Sequence, residues 1–125
     1  MLIYNISENI INLKETISEA CSELKPGISS IDYFNFIKKD IFNPEEIVKE
    51  FDFIITGAFD FRFRIYELEL NPENHLKTKI NFLGSKFIQN NSIIHKIKFV
   101  EDILNNSLYF IIASDQNHVL IYNII

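Results

Sequence analysis

Tryptophan is absent from this chain of 125 residues, and cysteine and methionine occur once each. A lone Cys21 permits no internal disulfide, so stability must come from packing, and a reducing cytoplasm is the simplest compartment. Glycine is scarce too: Gly27, Gly57 and Gly84 lie far apart, which excludes a phosphate-cradling Walker loop and a dinucleotide-binding fingerprint. The longest apolar run, Leu108 to Ala113, is too short to cross a bilayer as a helix. The opening MLIYNISENI lacks the basic start and continuous apolar stretch of a secretory leader, and none is expected. His75, His95 and His118 are scattered, with no second ligand three or four residues away. Neither a metal nor a cofactor is therefore expected.

What is present points to a folded domain. Apolar residues make up 47% of the chain and mean hydropathy is +0.06, too high for disorder. The length suits one domain, residues 1–125, with a core large enough to stand alone. Abundant Ile, Asn, Lys and Phe fit AT-rich coding and a bacterial origin. Net charge is -5 and unevenly spread. Residues 1–60 hold eleven acids and five bases, and residues 61–125 hold six acids and seven bases. The acidic balance argues against non-specific nucleic-acid binding and for a basic partner.

Hydrophobic spacing divides the chain in two. Ile6, Ile10, Leu13, Ile17, Ala20 and Leu24 recur at three-and-four spacing, which predicts an amphipathic helix ended by Pro26-Gly27. A second helix is predicted over 31–40 behind Ser29 or Ser30 as cap, and a short third one at Asn43-Pro44 with Glu45 and Glu46 at its positive end. From Phe51 the period becomes two, predicting strands over 51–56, 59–70, 76–83, 93–100, 108–114 and 118–124. A turn at Asp115-Gln116-Asn117 and a helical turn within 101–106 complete the reading. No internal repeat or linker is evident. The expected fold is α+β: N-terminal helices, about residues 6–50, on one face of a mostly antiparallel sheet of about five to six strands, about 51–125.

DFRFRIYELEL, residues 60–70, poses a specific problem. Its apolar parity shifts from Phe61, Phe63 and Ile65 to Tyr66, Leu68 and Leu70, which predicts a β-bulge near Ile65-Tyr66. That bulge would set Arg62, Arg64, Glu67 and Glu69 on one wet face, with Glu69 opposite Lys77 and Glu67 opposite Lys79.

Two charged groupings are candidate sites. On the first predicted helix Glu8, Glu15, Glu19 and Glu23 would form one stripe, and like charges four residues apart repel by roughly 0.2–0.5 kcal/mol per pair. Such a stripe suits presentation of acid to a protein partner. The alternative uses Arg62, Arg64, His95, Lys96 and Lys98 as an anion- or RNA-binding sheet face, with His95 and Glu67 as acid-base groups of an RNase-like site. Cys21 reads as a small buried hydrophobe. The hairpin 108–124 is apolar on both parities, so it is either covered twice or meets a second copy in a homodimer.

In general character, single-domain, acidic and free of catalytic motifs, the chain resembles small bacterial immunity proteins such as those of contact-dependent growth inhibition systems. The resemblance implies a non-enzymatic, cytoplasmic protein that binds and neutralises a cognate toxin domain, often a basic nuclease. It implies no membrane partner.

Overall fold

Every described regular element is a β-strand. The computed structural model describes residues 2–7, 10–16, 27–69, 79–88, 92–116 and 119–124. Strands β1 (Leu2–Ser7) and β2 (Ile10–Thr16) pair as an antiparallel hairpin. Strands β3 (Ile28–Lys39), β4 (Ile47–Ala58), β5 (Arg62–Glu69) and β6 (Lys79–Phe87) form a four-stranded antiparallel meander. Strands β7 (Ile94–Asp102), β8 (Ser107–Ser114) and β9 (Leu120–Asn123) form a three-stranded one.

No helix occurs among the described residues, which corrects the α+β expectation to an all-β architecture. The reason is visible in the residue types. Ile10–Thr16 satisfies a period of two as well as one of 3.6, and stiff β-branched isoleucines favour the pleated conformation. Residues 17–26, the rest of the predicted first helix, lie outside the described residues. In β3, Phe34 and Phe36 alternate with Tyr33, Asn35 and Ile37, and this alternation prevails over the weaker three-and-four spacing. Asn43 begins a turn: its carbonyl accepts the Glu46 N–H at 2.9 Å, and no helix follows.

The two larger sheets face each other across one core. Phe34, Phe36, Phe53, Ile55 and Phe63 of β3–β5 meet Ile97, Phe99, Leu108, Phe110 and Ile112 of β7 and β8. Aromatic rings cross the interface, with Phe34–Phe99 at 6.0 Å, Phe63–Phe110 at 5.0 Å and Phe63–Tyr122 at 5.1 Å between centroids. Gly57 makes the approach of β4 to β7 possible, since a Cβ there would lie 2.5 Å from Ile94 Cγ2. Strand β4 is buried on both faces from Phe53 to Ala58.

A seam joins the sheets along their edge strands. The Ile97 N–H donates to Ser30 Oγ at 3.0 Å, and the Phe99 N–H to Asp32 Oδ2 at 2.8 Å. Further along, Asn106 Nδ2 donates to the Lys39 carbonyl at 2.9 Å. All three pairs are 67 positions apart, so β3 and β7 run side by side in the same direction. Side-chain oxygens here take the place of backbone acceptors, satisfying edge N–H groups that would otherwise invite another strand. Ser30, expected to cap a helix, serves instead as a seam acceptor. Across the opposite edges, Lys86 of β6 lies over the Tyr122 ring of β9.

The predicted bulge at Ile65-Tyr66 exists as a register shift, but the extra residue is in the neighbouring strand. Ile65 faces Gly84 and Tyr66 faces Phe82, leaving Leu83 of β6 unpaired. Strand β5 therefore keeps one parity throughout: Arg62, Arg64, Tyr66 and Leu68 share one face, and Phe63, Ile65, Glu67 and Glu69 share the other. Glu69 faces Lys79 and Glu67 faces Asn81, a register two residues from the one expected. The strand begins only at Arg62, because residues 59–61 turn with Phe61 in the left-handed region at φ 65°.

Candidate functional site: the outer face of the β3–β4 hairpin

The long antiparallel pairing of β3 with β4 sends Tyr33, Asn35 and Ile37 outward beside Ile54, Asp52 and Glu50 respectively. Four of these side chains form one network. The Tyr33 hydroxyl donates to Asp52 Oδ1, and Asn35 Nδ2 donates to the same oxygen at 3.0 Å and to Glu50 Oε1 at 2.9 Å. Partial burial of the phenol, its hydrogen bond to Asp52 and the nearby carboxylates push the Tyr33 pKa up to about 12. The donors to Asp52 and Glu50 are neutral, and among the described residues no cation pairs with either carboxylate. The hairpin thus presents two oriented negative charges, flanked by exposed Ile31 and Tyr33.

The expected glutamate stripe requires a helix, and the described part of that segment, residues 6–7 and Ile10–Thr16, is strand. Glu15 stands on β2 opposite Ile3. Glu8, Glu19 and Glu23 lie outside the described residues, as do Cys21, His75 and His118.

The basic grouping is divided between the two sheets. Arg62 lies over the Phe87 ring, 3.6 Å from its centroid, and donates to Ser85 Oγ. Arg64 is inside the structure, forming a two-point ion pair with Asp60 at 2.6 and 3.2 Å, the side chains being 12% and 7% exposed. Asp60 also accepts the Arg62 N–H, bracing the turn into β5. Lys96 and Lys98 are on β7, separated from β5 by β4 and β3. Between Ile94 and Lys96 the register slips, leaving His95 as an extra residue directed outward to Asp115. The hydrogen bond from His95 holds the Asp115 carboxyl below its ordinary range. Glu67 lies on β5, in the other sheet from His95, so an acid-base pair between them is not assembled. The terminal hairpin has one covered face, Leu108, Phe110 and Ile112, and one half-open face that includes Tyr109, Ile111 and exposed Ile121.

Among the described residues no group of three His, Cys, Asp or Glu side chains could hold a metal, and no helix is long and apolar enough to cross a membrane. The chain matches no protein-family model, and no curated protein matches it either. The Tyr33–Asn35–Glu50–Asp52 network was missed from sequence because the β3 segment reads as a helix, which separates Tyr33 and Asn35 onto different faces. The signal was the alternation YFNFI opposite EFD.

Proposed function

We propose that this is a cytoplasmic, non-enzymatic protein-binding protein of the immunity type, which engages a basic toxin domain through the outer face of β3 and β4. The observation that carries the reading is the pair Glu50–Asp52, fixed by neutral donors and left without a counter-charge among the described residues. Pre-oriented carboxylates on a net acidic protein accelerate encounter with a basic surface and select against acidic partners. Tyr33 and Ile31 supply the adjacent contact area, tyrosine being a rigid, amphipathic anchor. The test is retention of proteins from the source organism's lysate on tagged chain, at low and moderate salt, for the wild type and for Glu50→Lys/Asp52→Lys. One stoichiometric basic protein, weakened by salt and lost from the variant, is expected. Equal retention by the variant removes the hairpin face from the account.

A second reading rests on His95. A histidine oriented by an aspartate beside Lys96 and Lys98 is an arrangement that can bind an anion such as RNA phosphate. RNA retained by the wild type and released by His95→Ala/Lys96→Ala would favour it over protein binding.

A further inference from the structure

Asp40-Ile41-Phe42-Asn43 and Asp102-Ile103-Leu104-Asn105 are the same short pattern, one following β3 and the other closing β7. Each aspartate performs the same task. Asp40 Oδ1 accepts the N–H groups of Phe42 at 2.7 Å and Asn43 at 3.3 Å, and Asp102 Oδ1 accepts that of Asn105 at 3.2 Å. Asp102 also takes Asn105 Nδ2 at 2.7 Å. Each loop is thereby braced around an apolar pair that projects outward. Ile41 and Phe42 are 86% and 97% exposed, and Ile103 and Leu104 are 80% and 96% exposed. The loops lie at one end of the sandwich, linked by the Asn106–Lys39 hydrogen bond.

Four large apolar side chains held in water by braced turns forgo burial that would be favourable, and such grouping marks an interaction surface. Their surroundings select the occupant. Asp40, Glu45, Glu46, Glu101 and Asp102 outnumber Lys38, Lys39 and Lys49 around the tips. That negative collar disfavours the anionic surface of a bilayer, and it sets like charges against each other if two copies meet tip to tip. It complements apolar sockets rimmed by basic side chains. The first loop also continues directly, through Ile37 and Val48, from the face that carries Glu50 and Asp52.

We propose that the twin tips are a two-pronged apolar anchor that enters basic-rimmed apolar sockets of the protein partner. This inference rests on the protein-binding reading, with the β3–β4 carboxylates steering and the tips holding. Its test places the photocrosslinker p-benzoylphenylalanine singly at Phe42, Leu104, Asp52 and Ser85 of the full chain in cells of the source organism. One basic protein is expected in adducts from Phe42, Leu104 and Asp52, and not from Ser85. Phe42→Ser/Leu104→Ser should then weaken retention of that protein by about tenfold or more without altering the circular dichroism spectrum. Adducts from Asp52 but from neither tip overturn the anchor and leave the protein-binding reading standing. The absence of a protein adduct from all of these positions overturns both. Tip adducts at twice the chain mass, or tip-dependent sedimentation of the chain with phosphatidylcholine–phosphatidylglycerol vesicles, also overturn the anchor.

Discussion

The Asp32 carboxylate on β3 receives the backbone N–H of Phe99 on β7 at 2.8 Å, while its other oxygen receives the Tyr33 N–H at 3.0 Å. One side chain therefore fastens the two sheets together and fixes the start of the outward-facing Tyr33 on the same strand. Removing it leaves a part-buried N–H without a partner. Asp32→Ala should lower unfolding free energy by about 1–3 kcal/mol in urea titration, the cost of an orphaned donor. The Phe99 amide should exchange with deuterium faster than in the wild type, and an unchanged rate would remove Asp32 from the seam.

Asp60 and Arg64 offer the steepest single-residue effect on stability. The pair is bidentate and largely out of water, so truncating Asp60 removes a two-point, charge-assisted contact from a part-buried guanidinium. Asp60→Ala should destabilise by about 3–5 kcal/mol, including the loss of its hydrogen bond to the Arg62 N–H. Denaturant titration measures this directly.

Gly57 is required by contact and not by turn geometry. Gly57→Ala would drive its new methyl into Ile94, costing about 1–3 kcal/mol. Combining it with Ile94→Ala, which removes Cγ2 and Cδ1, should make the double variant less destabilised than the sum of the two single ones, a coupling that a double-mutant cycle reads. Gly84 has nothing within 4 Å of a Cβ position, so Gly84→Ala should be neutral within about 0.5 kcal/mol.

These positions also show which parts of the fold the sequence discloses. The strands from Phe51 onward are legible because aromatic and β-branched residues alternate there, and six of the observed elements fall close to the expected spans. Ile31 to Asp40 is misleading: Ile31, Phe34 and Ile37 fit helical spacing, yet Phe34 and Phe36 need one face in common, which only a strand gives. Arg64 reads as a surface cation because its partner, Asp60, is set opposite it by a turn whose left-handed Phe61 has no clear signature in sequence. The twin tips are equally hidden, since their likeness becomes meaningful only when β3 and β7 are known to run side by side.

Tyr33 carries a pH signature of the candidate site. Its pKa is raised from 10.0 to about 12, so the folded state retains the phenol proton longer than the unfolded chain does. The associated stability is present below pH 10, and it is lost as pH rises toward 12. Difference absorbance between wild type and Tyr33→Phe should show this phenol ionising late, and Asp52→Asn should bring its ionisation to lower pH.

The central claim is that Glu50 and Asp52 steer a basic protein partner onto the β3–β4 face. The most direct measurement is the association rate with the captured partner, by stopped flow across a range of salt concentrations, for wild type and Glu50→Gln/Asp52→Asn. A rate that falls with salt for the wild type, with a slower rate and shallower salt slope for the variant, is the predicted result. Equal rates and slopes at low salt would contradict the claim.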